Sequence, residues 1–265
     1  MEERESTLLP GQRLRGRGAL ENEVGRFEAA RRVGFEDGWA PPEERVLRTE
    51  VRLEVPRTAI SYNRSPDLPF DRSINPYRGC EHGCIYCFAR PSHAFLNLSP
   101  GLDFETRLIA RPGIGAVLEK ELRAKAYRVA VMALGTNTDP YQPIEAEYGV
   151  MREILGVLAA FRHPVAITTK GTLIERDIQL LAELAAQGLT RVGISVTTLD
   201  ATLSRQMEPR AAAPKRRLQI IERLAAAGIP VRAMVAPVIP GLTDHELEAI
   251  LTSARDAGAT AASYI

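Results

Sequence analysis

Residues 75–88 read Asn-Pro-Tyr-Arg-Gly-Cys-Glu-His-Gly-Cys-Ile-Tyr-Cys-Phe and contain all three cysteines of the chain, Cys80, Cys84 and Cys87. Three cysteines cannot pair fully as disulfides, and their thiolates are soft ligands that suit an iron–sulfur cluster or zinc. A cubane cluster has four irons, so three cysteines would leave one iron open to a further ligand. The segment therefore predicts a metal site.

A zinc site is the alternative interpretation of this segment, with His82 or His93 completing the ligand set. Structural zinc sites usually pair two short cysteine or histidine motifs, whereas this chain has a single cluster of cysteines. We therefore favour an iron–sulfur cluster.

A repeated strand–helix pattern decides the fold class. Short apolar runs alternate with amphipathic helical segments that end on glycine, which is typical of βα units. The predicted strands are residues 73–78, 128–134, 165–169, 191–196, 231–236 and 261–265. Six parallel strands predict an α/β fold, a partial (β/α)6 TIM-like barrel over residues 61–265. The sequence stops inside the sixth predicted strand, which is consistent with a C-terminally truncated fragment.

Residues 1–60 lack sustained periodicity and predict an irregular N-terminal extension. Arg13, Arg15 and Arg17 alternate with other residues as in some nucleic-acid-binding segments. Residues 1–40, however, hold seven arginines against eight acidic residues. A solvated tail is the favoured interpretation.

The composition argues against a global attraction to polyanions, because 34 Lys and Arg oppose 33 Asp and Glu. Residues 201–232 do carry seven basic side chains against two acidic ones, but no aromatic side chain there could stack a base. Nucleic acid is therefore possible as a partner but not supported. The acidic start and the lack of a long apolar run predict a cytoplasmic protein with no membrane partner.

The cysteine spacing, with Tyr86 before the last cysteine, resembles the signature of the radical S-adenosylmethionine superfamily. The resemblance covers about residues 73–265. Within the superfamily, residues 135–145, 168–171, 195–200 and 207–211 resemble the spore photoproduct lyase-like, DNA repair photolyase-related branch, most of which is functionally uncharacterised.

This resemblance implies a radical SAM enzyme in which Cys80, Cys84 and Cys87 bind a [4Fe–4S] cluster and S-adenosylmethionine is the second cofactor. A one-electron donor such as flavodoxin or ferredoxin would reduce the cluster. Reductive cleavage of S-adenosylmethionine would then give a 5′-deoxyadenosyl radical that abstracts hydrogen from an unknown substrate. Repair of spore photoproduct is one version of this function, but it uses an additional cysteine as hydrogen donor, and this chain has none.

The resemblance also suggests residues that bind S-adenosylmethionine. Tyr86 occupies the aromatic position of the signature, a glycine-rich segment falls on residues 135–138, and the block at 235–241 would pack against adenine. The cofactor-binding candidates from these three segments are Tyr86, Gly135, Thr136, Asn137 and Ile239.

Further candidates follow from residue type at the predicted strand ends. Lys170 or Arg210 could bind the cofactor's carboxylate, although each could equally form a surface ion pair. Ser195 is favoured over Thr197 as a polar contact, because alternating side chains of a strand cannot both face the interior. Asp139 and Tyr141 are the catalytic candidates for proton transfer.

Glu145 could take part in the same chemistry, but its place near the start of a predicted helix favours a capping role. Asp139 and Tyr141 could likewise cap that helix. These alternatives remain open at the level of sequence.

Overall fold

The structure is a computed structural model that describes residues 16–28 and 47–265. Its strands are β1 (Glu50–Leu53), β2 (Ile60–Tyr62), β3 (Arg72–Ile74), β4 (Tyr77–Arg78), β5 (Arg107–Ala110), β6 (Met132–Leu134), β7 (Val165–Thr169), β8 (Thr190–Ser195), β9 (Val231–Val235) and β10 (Ala261–Tyr264). Its α-helices are α1 (Asp103–Thr106), α2 (Ile114–Leu122), α3 (Glu145–Tyr148), α4 (Val150–Ala160), α5 (Ile178–Ala185), α6 (Ala201–Met207), α7 (Pro214–Ala226) and α8 (Leu247–Asp256). Short 3₁₀ helices cover Arg90–Leu96, Thr172–Asp177 and Asp244–Glu246.

The main sheet has seven strands in the order β2-β3-β6-β7-β8-β9-β10. The six strands from β3 to β10 run parallel, and β2 pairs antiparallel with β3. The sheet is open, with β2 and β10 at its edges. This arrangement confirms the predicted partial (β/α)6 barrel.

The helices bury apolar faces against the sheet. In α4 the residues Met151, Ile154, Leu155 and Leu158 are all fully buried, at the i, i+3, i+4, i+7 spacing of one helical face. The parallel strands are apolar on the side they turn to these helices, as Ile167 in β7 and the fully buried Ile194 in β8 illustrate. One continuous core therefore lies between the sheet and its helices.

The first predicted strand, residues 73–78, is wrong in detail. β3 ends at Ile74, and β4 belongs to a second sheet with the order β1-β5-β4. Pro76 separates the two strands, and proline has no N–H to continue a ladder. The strand predicted at 128–134 is also too long, because β6 begins at Met132.

The predicted irregular extension contains a strand. β1 pairs in parallel with β5, so residues 50–53 are not irregular as we predicted. Arg13 and Arg15 lie outside the described residues, and the division of the chain at residue 60 stays a prediction. Within residues 16–28 and 47–265, no helix has the length and apolar character needed to cross a membrane.

Removing one side chain from the core between sheet and helices should lower the stability of the protein. Ile194→Ala should lower the free energy of unfolding by about 2–5 kcal/mol, because a cavity opens beside β8, an inner strand of the sheet. Val129→Ala, where the side chain is 68% exposed, should change it by less than about 0.5 kcal/mol. Urea unfolding of both variants measures the difference, and equal stabilities would contradict this core.

Candidate active site

The cysteine loop, which we define as residues 80–87, follows β4 directly and lies at the carboxyl end of the parallel strands. In barrels this end carries the active site. None of the three cysteines, all within the described part of the chain, forms a disulfide; Cys80 is buried and the other two are half-buried. The loop thus presents three uncommitted sulfur atoms at the barrel mouth.

The thiols need a cation in order to ionise. Burial raises the pKa of Cys80 well above its ordinary value, and burial raises that of Cys84 to about 12 although nearby Lys170 opposes the shift. A coordinating metal deprotonates thiols outright, so this donor set suits a cationic iron–sulfur cluster.

Among residues 16–28 and 47–265, no group of three or more His, Cys, Asp and Glu side chains is gathered around the position of a single metal ion. In a four-iron cluster each cysteine binds a different iron, so its ligands are spread more widely than those of one ion.

The backbone of the cysteine loop is held by residues outside it. Cys80 donates its N–H to the carbonyl of Phe104 at 2.9 Å. The fully buried Gln142 accepts the N–H of Glu81 through Oε1 and donates from Nε2 to the carbonyl of Gly79, both at 3.0 Å. Gln142 therefore clamps the start of the loop.

Gly83 allows the loop to turn between the first two cysteines. Its φ is 68°, in the left-handed region, and a Cβ there would lie 2.9 Å from the Glu105 carboxylate and 3.2 Å from Pro209. Only glycine suits this position without strain.

Residues 207–210 hold the other side of the loop. Ile85 donates its N–H to the carbonyl of Met207 at 3.0 Å, and Arg210 donates its own N–H to the carbonyl of His82 at 3.2 Å. The Arg210 side chain pairs with the buried Glu81 at 3.0 Å. The guanidinium thus stabilises the cysteine loop, and its predicted contact with a cofactor carboxylate stays a prediction.

Glu208 is the centre of a buried polar cluster beside the loop. Its carboxylate accepts hydrogen bonds from the hydroxyl of Tyr86, from Arg217 and, at 3.0 Å, from the hydroxyl of Thr197. Lys170 Nζ lies 3.7 Å away and 5.8 Å from the centre of the Tyr86 ring. Burial alone would raise the pKa of Glu208, but Arg217 and Lys170 lower it to about 2.

This polar cluster brings together two of the predicted cofactor residues, Tyr86 and Lys170. It contains Thr197, 3.2 Å from the Tyr86 hydroxyl, rather than Ser195. β8 ends at Ser195, so the alternation on which we based our preference does not extend to Thr197. The carbonyl of Ser195 accepts a hydrogen bond from Arg217 at 3.2 Å.

The remaining cofactor candidates also lie at strand ends. Gly135 follows β6. A Cβ at this position would overlap the carbonyl oxygen of Thr168 in β7, so only glycine fits here. Thr136 and Asn137 are half-buried in the same loop. Ile239 lies in the turn after β9 and donates its N–H to the Thr243 hydroxyl at 2.9 Å. Their contacts with a cofactor stay predictions.

Asp139 is engaged with the protein itself. Its carboxylate lies 3.3 Å from His82 Nδ1 and accepts the Thr169 hydroxyl at 2.6 Å and the N–H groups of Lys170 at 2.7 Å and Tyr141 at 2.9 Å. Burial would raise its pKa, but His82 and these hydrogen bonds lower it to about 2. Asp139 therefore ties the cysteine loop to the end of β7 as a stable anion.

Tyr141 is 1% exposed and donates its hydroxyl to Asp177 at 3.1 Å. Burial raises its pKa well above the ordinary value. Glu145 begins α3, but its carboxylate accepts the N–H of Met151 in the first turn of the next helix, α4, at 3.0 Å, so it does not cap the helix that it begins, as we had favoured. Proton transfer by Asp139 and Tyr141 stays a prediction.

The basic stretch at 201–232 is largely paired. Arg217 is buried against Glu208, while Arg216 and Arg223 both pair with Glu175, at 2.5 and 3.0 Å. Four of the seven basic side chains in this stretch thus have acidic partners, counting Arg210 with Glu81, and the absence of support for a nucleic-acid partner stays a prediction.

The burial of Arg17 shows that the prediction of a solvated tail is wrong at this residue. Its side chain is only 8% exposed and donates to the carbonyls of Glu105 and Leu47, both at 2.8 Å. Residues around Arg17 are packed on the core close to the cysteine loop.

The sequence did not predict four residues that hold the cysteine loop from other parts of the chain, namely Gln142, Glu105, Arg90 and Glu208. Glu208 falls in the block 207–211 that we singled out, and an acidic residue followed by proline in a basic stretch was the available signal. Gln142 likewise falls in the block 135–145, whereas Glu105 and Arg90 lie outside every block that we singled out.

A partial barrel of six parallel strands, with three cysteines on the loop at its mouth, defines an enzyme of the radical SAM type. The family model described as "Radical SAM superfamily" matches residues 74–254. The chain belongs to this superfamily.

Relatives of known sequence include a Mycobacterium tuberculosis protein, described as uncharacterized, that is 46% identical over 195 residues, or 73% of this chain and 57% of that protein. An uncharacterized protein of Methanocaldococcus jannaschii is 27% identical over 65% of this chain and 62% of its own length. The chain thus spans little more than half of these relatives.

Two solved structures share the fold. A spore photoproduct lyase variant with bound AdoMet and dinucleoside spore photoproduct has a TM-score of 0.57 and 19% identity, covering 77% of this chain and 57% of that one. SuiB of Streptococcus suis bound to S-adenosylmethionine has a TM-score of 0.53 and 18% identity, covering 72% and 39%. At this level of identity the likeness concerns the fold alone.

The low pKa of Glu208 predicts sensitivity to acid. A carboxyl group whose pKa falls from 4.5 in the unfolded chain to about 2 in the folded chain stabilises the fold above about pH 4.5. This contribution, roughly 3 kcal/mol, is lost as the pH falls toward 2. In metal-free protein, Glu208→Gln should therefore show a smaller loss of stability between pH 5 and pH 3, measured by urea unfolding.

Glu248→Gln is the control, because it removes an exposed carboxylate. It should keep the pH dependence of the unmodified chain. A pH dependence that is unchanged in Glu208→Gln would contradict the assignment of Glu208 as a paired buried anion.

Proposed function

We propose that this chain is the catalytic domain of a radical SAM enzyme that cleaves S-adenosylmethionine reductively at a [4Fe–4S] cluster and abstracts hydrogen from an organic substrate. The proposal is carried by one observation: three cysteines free of disulfides lie at the mouth of the barrel, next to the polar cluster of Tyr86, Lys170 and Glu208. Membership of the superfamily supports it.

Cys80, Cys84 and Cys87 would hold the cluster, and its fourth iron would be left for the amino and carboxylate groups of S-adenosylmethionine. Together the two bound groups would supply one-electron reductive cleavage of the C–S bond of S-adenosylmethionine, which gives methionine and a 5′-deoxyadenosyl radical.

The chain's own residues orient the cofactor. Lys170 is 15% exposed and holds its ammonium beside the cysteine loop, so it is our candidate for the cofactor carboxylate. Glu208 and the Tyr86 ring hold that ammonium in place, and Tyr86 itself would lie against the adenine. Gly135, Thr136 and Asn137 offer backbone carbonyls to the amino group, with Ser195, Arg210 and Ile239 as further contacts from neighbouring strand ends.

A one-electron donor such as flavodoxin or ferredoxin would reduce the cluster. Ile85 and Phe88 lie on either side of Cys87 in sequence and are 54% and 79% exposed. They offer an apolar surface on which such a donor would dock near Cys87. Such a donor is consistent with the cytoplasmic location that the sequence predicts.

Repair of spore photoproduct is a finer version of this function. The structural neighbours include a lyase with bound dinucleoside spore photoproduct, and the branch resemblance points the same way. The three cysteines of residues 1–265 are all assigned to the cluster, so repair would need a hydrogen donor other than these cysteines, and we do not favour this substrate. Conversion of the dinucleoside spore photoproduct by the reconstituted chain would show that it is a substrate after all.

The cluster is tested by anaerobic reconstitution. The unmodified chain should bind about four irons with broad absorbance near about 400 nm. Cys84→Ala should lose both the cluster and the release of 5′-deoxyadenosine, because the remaining two cysteines cannot hold a cubane. Ser61→Ala, on the exposed face of β2, is the control and should behave as the unmodified chain. Stoichiometric zinc without iron would refute the proposal.

The role of Lys170 is tested by Lys170→Met. Loss of a hydrogen bond to a charged group, worth about 1.5–3 kcal/mol, should weaken S-adenosylmethionine binding by about 10- to 100-fold. Lys215→Met, which removes an exposed ammonium on α7, should leave the affinity unchanged. Calorimetric titration of the reconstituted proteins gives both values, and equal affinities would rule out this contact.

A further inference from the structure

Residues 16–23, which we call the strap, run across the cysteine loop although they lie about sixty residues before it in sequence. Gly18 is in direct contact with the middle of the loop: a Cβ at this position would overlap the carbonyl oxygen of Gly83. No side chain or water fits between two backbones at this separation. The strap therefore packs directly on the cysteine loop.

A buried carboxylate joins the strap to a cysteine. Glu105 is fully buried and accepts the N–H of Gly18 at 3.0 Å and the N–H of Ala19 at 2.8 Å. The same carboxylate pairs with Arg90 at 2.6 Å. Arg90 in turn donates to the carbonyl of Cys84 from Nε at 3.2 Å and from Nη2 at 3.0 Å.

Further hydrogen bonds fix the strap at both ends. At its start, Arg17 donates to the carbonyl of Glu105 at 2.8 Å. At its end, Ser99 donates its hydroxyl to the carbonyl of Glu23 at 2.6 Å. Between them, Asn22 both donates to and accepts from Asp103, at 3.1 and 2.9 Å.

Such a number of specific contacts is unexpected for a passive tail. Two of the groups involved, Glu105 and Arg17, are charged and buried, and a buried charge is tolerated only when its partners stay in place. Removing the strap would leave the Glu105 carboxylate without two of its donors, next to the arginine that holds Cys84.

We propose that the strap is a permanent part of the cluster site, with Gly18, Glu105 and Arg90 as positioning residues that hold Cys84 in place and limit the access of solvent, oxygen and chelators to its side of the cluster. This inference rests on the proposed function for the cluster, but the link from the strap through Glu105 and Arg90 to Cys84 can be tested without a cluster.

The first test uses the metal-free full chain and the rate at which iodoacetamide alkylates each cysteine, followed by mass spectrometry. Gly18→Ala should speed alkylation of Cys84 about tenfold, because the added Cβ forces the strap off the loop. Cys80, which is buried against Ala89 and Phe104, should not change. Gly156→Ala is the matched control, since a Cβ at this exposed helical position meets nothing within 4 Å.

Glu105→Gln provides a second variant that adds no bulk. It removes the charge that pairs with Arg90, and it should also speed alkylation of Cys84 selectively. Unchanged rates in both variants would overturn the proposal. Equal acceleration of all three cysteines would also overturn it, because this result indicates general destabilisation.

The second test uses the reconstituted protein and the loss of absorbance near about 400 nm in air. Gly18→Ala should assemble the cluster and lose it about tenfold faster than Gly156→Ala does. If the unmodified chain assembles no cluster, the proposed function fails, while the alkylation pattern still decides whether the strap covers Cys84. Equal rates of loss in the two variants would refute the protective role.

Discussion

The cysteine loop has to hold three thiols at fixed positions with no regular secondary structure of its own. Its buried peptide groups therefore need partners elsewhere, since an unpaired N–H or carbonyl costs about as much as a lost hydrogen bond. Phe104, Gln142, Met207 and Arg90 supply these partners from four separate segments. Much of the structure around the barrel mouth follows from this requirement.

Buried carboxylates connect these segments to one another. Glu208, Asp139 and Glu105 each have several donors, and each joins the cysteine loop or its immediate support to a different part of the chain. Replacing a whole buried pair by apolar side chains of similar size often costs little stability, but breaking one pair leaves an uncompensated charge. They therefore fix one arrangement of the loop, which is what a site that controls a radical requires.

The sequence was sufficient for the fold class, because short apolar runs and helical spacing are local signals, and the Cys-x3-Cys-x2-Cys motif located the loop on which the candidate site lies. Two of its cofactor candidates, Lys170 and Tyr86, lie together beside that loop, and their contacts with a cofactor stay predictions. It did not predict Thr197, because the end of β8 at Ser195 depends on tertiary structure. Nor did it predict the burial of Arg17 against Glu105, a contact between residues 88 positions apart.

The central claim is that three cysteines hold a cluster whose remaining iron is free to bind S-adenosylmethionine. Electron paramagnetic resonance of the dithionite-reduced, reconstituted chain tests this claim most directly. The reduced chain should give the signal of a [4Fe–4S]⁺ cluster, and the g-values of that signal should shift when S-adenosylmethionine is added, because the cofactor binds to the cluster itself. A spectrum that does not change with saturating S-adenosylmethionine, or the absence of any cluster signal, would contradict it.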